Sequence, residues 1–297
     1  MVGKGKYYES QFEEATIELL RESHWQYTFG DDIHRKYTDP LIEEDLRTFL
    51  AAQYKDKKLT ASEVDGIVAN LRNTGGQNDY YALQNPFLLY RDGYDFTYNE
   101  RRGNPFRLQY IDFEHPDHNI FRCVNQFVME QGRENRRPDI LLFVNGIPVC
   151  IIELKNPTKQ NATIRDAHTQ ICTRYMRDIP ALLKYCALAV ISDGAKNELG
   201  TTYTPFEFFY EWKKIDNEDK AGKGLDTLRT LIRGALSPER ILEILRDYIY
   251  FPDPSKEDDT TEIVCRYPQF FAARKLRDHI LTHLRSVGGD GKGGTYF

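Results

Sequence analysis

The sequence predicts a mixed α/β fold, a central mixed sheet flanked by helices and followed by a helical C-terminal segment. Three observations carry this expectation. Two strand-sized segments, Ile140–Val144 and Ile147–Leu154, apolar throughout except for Glu153 near the end of the second, bracket Asn145-Gly146 and read as a hairpin of central strands covered on both faces. Segments with apolar residues at helical spacing come before and after that hairpin. The last third then turns helical, beginning at Ser237-Pro238-Glu239, an N-cap serine with proline at the first helical position.

Taken in order, Glu9–His24 is an amphipathic helix with Phe12, Ala15, Ile17, Leu19 and Leu20 on its apolar side. A second helix covers Leu41–Tyr54. A third starts at Thr60, where Thr60 and Glu63 form a capping box, and ends near Asn73-Thr74-Gly75-Gly76. A loop follows, then strands over Phe106–Phe113 and Ile120–Met129, rich in aromatic and β-branched residues. After the hairpin come a helix over Thr163–Arg177, a buried strand over Tyr185–Ile191 and a further strand over Phe206–Trp212. The strands look antiparallel. Pro252–Thr261 is a polar, acidic boundary, and Pro268–Arg285 is a helix. The expected division is a main domain over 1–250, with its core at about 105–195, and a connecting segment over 251–297.

The 297 residues are 40% hydrophobic and carry five cysteines, odd in number and far apart, which argues for reduced thiols in a cytoplasmic protein. No apolar run has the length of a membrane span, and no secretory signal is visible. The net charge of −5 conceals a local excess: Arg133–Lys184 holds nine basic and five acidic residues. Such a region can meet phosphates while the whole chain stays acidic.

The chemistry concentrates at the hairpin's open end. Asp139 begins the first strand, while Glu153 and Lys155 end the second. Charges against such apolar strands are costly to desolvate unless paired or bound to metal. Glu153 and Lys155 are two apart and share a face. A two-residue Asn-Gly turn would pair Asp139 with Ile152 and send it to the other face. A three-residue turn with a bulge at Gly146 would pair it with Ile151 and bring it back. The expectation is the bulged turn, or a distortion at Asp139 with the same result. Two carboxylates on one face suit a hard divalent ion such as Mg²⁺, with the backbone carbonyl of Leu154 as an extra ligand. Lys155 would orient or help deprotonate a water. The plain alternative is a salt bridge between Lys155 and a carboxylate.

RPD followed by ELK resembles the PD-(D/E)xK nuclease signature. The chain also resembles the N-terminal endonuclease region of the type I restriction enzyme R (motor) subunit. FEEATIELL, GDDIHRKY, LQNPFLLYRDGYDF, FRLQYIDFEHPDHNIFRCVNQF, RPDILLFVNGIPVCIIELKNP, YCALAVISDG and YPQFFAARKL carry that likeness over almost the whole length. The resemblance implies a restriction-endonuclease-like fold and a type I site-specific deoxyribonuclease, with Mg²⁺-dependent cleavage of double-stranded DNA. It also implies methyltransferase and specificity subunits as partners. It makes Asp139 and Glu153 metal ligands and Lys155 the catalytic lysine. Related RecB-like nucleases carry Gln-x-x-x-Tyr on the next helix. Here Gln170 and Tyr175 are one residue further apart, so α-helical spacing favours Gln170 and turns Tyr175 away. Glu13 is the candidate acid from the first helix, with Glu9 behind it. Arg136, Arg137, Lys159 and Arg174 are candidate DNA contacts. The family continues into an ATP-driven helicase-like motor. Gly291-Lys292 lacks the spacing of a phosphate-binding loop, so the chain reads as the part preceding that motor, with ATP needed only by the full-length subunit. A RecB-like repair nuclease and a catalytically silent docking module are the rival readings. His279 with His283, and His115 with His118, read by default as surface or packing residues.

Overall fold

The computed structural model describes residues 4–98, 103–155, 163–216, 222–253 and 261–285, with side chains described from Ser10 to His283. Seven strands form the central sheet, and they lie side by side in chain order. They are β1 Gln26–Phe29, β2 Phe121–Asn125, β3 Ile140–Val144, β4 Ile147–Leu154, β5 Leu188–Ser192, β6 Asn197–Gly200 and β7 Tyr210–Glu211. The sheet is mixed. β1 runs parallel to β2 and β4 parallel to β5, and the other neighbours are antiparallel. The two parallel pairs correct the antiparallel impression of the sequence, because each needs the long helical crossover that intervenes.

Every residue of β3, β4 and β5 is buried, as continuous apolar runs require. One face packs against α1 Lys4–Glu22, α2 Glu43–Gln53, α3 Ala61–Asn73 and α4 Asp79–Asp92, through Leu20, Phe49, Ile67 and Phe87. The other packs against α5 Ile164–Thr169, a π-helical segment Gln170–Tyr175, α6 Met176–Asp178 and α7 Pro180–Leu183, through Ile164, Ala167, Ile171 and Leu182. The later helices α8 Leu225–Leu231, continued by a π-helical segment Ile232–Leu236, and α9 Pro238–Asp247 join the first layer, and α10 Tyr267–Arg285 follows. The Trp25 indole N–H donates to the Leu236 carbonyl at 2.8 Å and fastens this late layer to the start of β1.

Several local expectations hold. Thr60 and Glu63 make the reciprocal capping box, Pro238 opens α9, and all five cysteines are free. Others need correction. The segment read as a loop contains α4. Asn78 caps it by accepting from the Tyr81 N–H, Gly93 at φ 70° ends it, and Tyr80, Leu83, Phe87 and Tyr90 form its buried stripe despite the internal Pro86. The strand expected over Phe106–Phe113 ends at Leu108, and Ile120–Met129 is strand over Phe121–Asn125 and again from Met129, where a short strand Met129–Gln131 begins. Tyr185–Ile191 becomes strand only at Leu188. Phe206–Phe208 is a 3₁₀ turn ahead of a two-residue strand. No described helix is long and apolar enough to cross a membrane. The segment around Gly291-Lys292 and most of the acidic boundary Pro252–Thr261 lie outside the described residues.

Candidate active site

The hairpin turn is the two-residue form. Val144 pairs with Ile147, and Asn145 and Gly146 take φ 51° and 76°. Only glycine fits position 146, since a Cβ there would lie 2.0 Å from the Ile42 carbonyl oxygen. The expected bulge at Gly146 is therefore corrected. The extra residue is Val149, halfway along β4: Phe143 pairs with Pro148, but Leu142 pairs with Cys150. Val149 and Cys150 both enter the same apolar layer, as a β-bulge allows. Beyond the bulge Ile140 pairs with Ile152, so Asp139 stands opposite Glu153 and shares its face with Glu153 and Lys155. The common face was expected; the device that produces it was not.

On that face the polar atoms converge. Asp139 Oδ2 accepts the Leu154 N–H at 2.8 Å, replacing the ladder bond that the end of β3 leaves open. The Lys155 ammonium donates to Glu153 Oε1 at 2.8 Å and to Gln170 Oε1 at 2.6 Å. Glu153 is 1% exposed, and its Oε2 has no hydrogen-bond partner among the described residues. Burial first, and the Asp139 charge second, push the Glu153 carboxyl well above the ordinary carboxylate range, against the pull of Lys155. A salt bridge between Lys155 and Glu153 is thus present, but it leaves one buried oxygen over. An unsatisfied buried oxygen is rare in folded proteins and suits a cation ligand.

The π-helical segment corrects the reading of Tyr175. An i→i+5 turn accommodates one residue more than an α-turn, so Tyr175 returns to the face of Gln170. Gln170 Nε2 donates to the Tyr175 hydroxyl at 2.7 Å. Burial, and the charge of Glu153 after it, raise the Tyr175 phenol and keep it protonated. Arg174, the α-helical neighbour of Gln170, is exposed instead.

Glu13 of α1 reaches the same end of the sheet. Its Oε1 accepts from Asn125 Nδ2 at 2.7 Å and its Oε2 from Gln126 Nε2 at 3.0 Å. The Gln126 N–H donates to the Asp139 carbonyl at 3.1 Å. Gln126 has φ 53°, which turns the chain out of β2 so that its side chain and amide serve two partners. The Tyr27 hydroxyl donates to Asn125 Oδ1 at 3.0 Å. Sequence reasoning missed Asn125, Gln126 and Tyr27. The available signal was a polar pair, Asn125-Gln126, set within the apolar run Cys123–Val128.

The expected DNA contacts separate. Arg136 is held by Glu134 and by Asp178 of α6, so it links two elements, with its side chain partly exposed. Arg137 and Arg174 are exposed, while Lys159 lies outside the described residues, as does the Glu9 side chain.

Fold and site together define a mixed-sheet α/β domain with a carboxylate–carboxylate–lysine cluster at the open end of its central hairpin. The chain belongs to the family described as "Type I restriction enzyme R protein N terminus", which it matches over residues 6–208. It is 29% identical to the Type I restriction enzyme HindI endonuclease subunit of Haemophilus influenzae, over 91% of this chain and 26% of that relative. It is 32% identical to the Type I restriction enzyme EcoprrI endonuclease subunit of Escherichia coli, over 42% of this chain and 40% of that relative. The chain therefore spans about a quarter of the length of the HindI relative.

Proposed function

We propose that this chain is the nuclease part of a type I restriction–modification complex and cleaves phosphodiester bonds of double-stranded DNA with Mg²⁺. The observation that carries the reading is the common face of Asp139, Glu153 and Lys155, with Glu153 Oε2 buried and unpartnered. Asp139 and Glu153 would hold the ion, with the Leu154 carbonyl as a further oxygen. Bound there, Mg²⁺ would polarise the scissile phosphate and lower the pKa of an attacking water.

The chain's own residues have separable tasks. Glu153 and Gln170 fix two of the three N–H donors of Lys155, so the third can orient a water or meet charge building on the phosphate. Tyr175 keeps Gln170 in place. The Leu154 N–H holds the Asp139 carboxylate in orientation. Glu13, fixed through Asn125 and Gln126, supplies further negative charge at the Asp139 end. Arg136, Arg137, Arg174 and Lys159 are the basic candidates for the DNA backbone. Methyltransferase and specificity subunits would supply target choice, and an ATP-driven motor in the full-length subunit would deliver the DNA.

The test is cleavage of supercoiled plasmid by the full-length complex with Mg²⁺ and ATP, comparing wild type with Asp139→Ala and Lys155→Ala. Both variants should lose cleavage and retain ATP hydrolysis. A closed circle has no ends, so cutting it also separates this reading from a nuclease that works on ends. If both variants cut normally, the active-site assignment fails and a subunit-docking role replaces it.

A further inference from the structure

A second cluster of metal-ligating atoms lies at the opposite end of β2, in the loop that feeds Phe121. Asp112 Oδ2 is 3.3 Å from His115 Nδ1 and 3.0 Å from His118 Nδ1, and one ligand atom from each residue lies within 4.8 Å of the others. We propose that Asp112, His115 and His118 form a site for a transition-metal ion of the Zn²⁺ class, separate from the nuclease centre.

The distances fit the chemistry. Zinc–nitrogen and zinc–oxygen bonds of about 2.0–2.2 Å give tetrahedral edges of roughly 3.3–3.6 Å, so both Asp–His separations need only small adjustments. Two imidazoles and one carboxylate select a borderline ion over Mg²⁺, which prefers oxygen alone. Three protein ligands leave a fourth position for water.

The loop is also built around the carboxylate. Asp112 is 5% exposed, and its Oδ1 accepts the N–H groups of Glu114 and His115, which leaves Oδ2 to face the two rings. Gln53 Nε2 donates to Oδ2 at 3.0 Å, the kind of outer contact that orients a ligand. Asn119 closes the loop, accepting the Asp112 N–H and donating to its carbonyl. The two rings stack with centroids 4.8 Å apart and are half exposed, so an ion has a path in. Without metal, an Nδ1–H on each ring can donate to Oδ2; for Nδ1 to bind the ion, each neutral ring carries its proton on Nε2 instead. From Phe121 to Asn125 the strand spans ~13 Å, so the two centres share no ligand. Occupancy would fix the approach to β2 without touching the Asp139 end.

The test is titration of the 297-residue chain with Co²⁺ at neutral pH, read by visible d–d absorption, then displacement by Zn²⁺. The intense absorption of four-coordinate Co²⁺ should be the same in wild type and Asp139→Ala, since an all-oxygen, six-coordinate ion at the nuclease centre absorbs only weakly. His115→Gln and His118→Gln, both at exposed positions, should bind at least about 100-fold more weakly, since loss of an outer-shell partner alone costs 10–100-fold. Circular dichroism establishes that the histidine variants are folded. Absence of a band in wild type overturns the proposal. So does a band that survives in both histidine variants, or one that vanishes in Asp139→Ala.

Discussion

The central hairpin carries a buried polar residue at each end, and the two are treated in opposite ways. At the closed end, Asn145 is 0% exposed and fully engaged. Its side-chain nitrogen donates to the Tyr110 carbonyl and to Asn119 Oδ1, and its oxygen accepts the Ile120 N–H. At the open end, Glu153 is equally buried, yet one of its oxygens is left over beside a second carboxylate. Folding accounts for the first arrangement. The second costs stability that a proton or a bound cation would recover, which is how binding sites depart from otherwise consistent structures.

Changes at the closed end should therefore damage stability and spare the chemistry, and changes at the open end should chiefly damage the chemistry. The largest effect is expected for Gly146→Ala. The new Cβ would meet the Ile42 carbonyl at a backbone conformation that disfavours side chains, costing about 3 kcal/mol or more. Urea unfolding measures this, and a loss below 1 kcal/mol would show the closed end to be less rigid than the contacts imply.

Next comes Glu153→Gln, which should abolish cleavage while raising the stability of the metal-free chain by about 1 kcal/mol, the scale of one relieved buried polar group. Its pH signature has a definite sign. Because the Glu153 carboxyl is raised above its ordinary value of 4.5, the folded chain retains a proton that the unfolded chain has released. The stabilisation is complete below that ordinary value and fades as pH rises through the folded one. Urea midpoints in EDTA should fall with rising pH from this group, and that slope should be missing in Glu153→Gln. Equal slopes in the two proteins would mean that Glu153 is not the strained group.

The smallest effect is expected for Tyr175→Phe, which removes the hydroxyl that holds Gln170. Stability should drop by about 1 kcal/mol. Plasmid cleavage should fall, but less than in Lys155→Ala. Unchanged cleavage would confine the Gln170–Tyr175 contact to packing.

Much of this was readable before the structure. The buried hairpin, the shared face of Glu153 and Lys155, the Thr60 cap and the start of α9 all follow from residue pattern, because each is a local consequence of spacing. The place of Asp139 on that face depended on a register that spacing left open. The Val149 bulge was not readable, for a definite reason. Around Val149 both faces of β4 are apolar, so the alternation that would reveal a slipped register is absent there. The π-turn at Gln170–Tyr175 left only an odd interval, which α-helical geometry misread. Helix α4 was hidden by Pro86, and the Asp112–His115–His118 grouping by a loop fold that spacing does not specify.

The chain-order arrangement of the sheet has a consequence for how the molecule is made. On a ribosome, each strand from β2 onward emerges beside the one it will pair with, so the sheet can extend in one direction as synthesis proceeds. Its growing edge always belongs to the newest strand. That growth finishes in β7, only two residues long and ending in Glu211. A charged edge so short offers little template for a neighbouring molecule to continue the sheet.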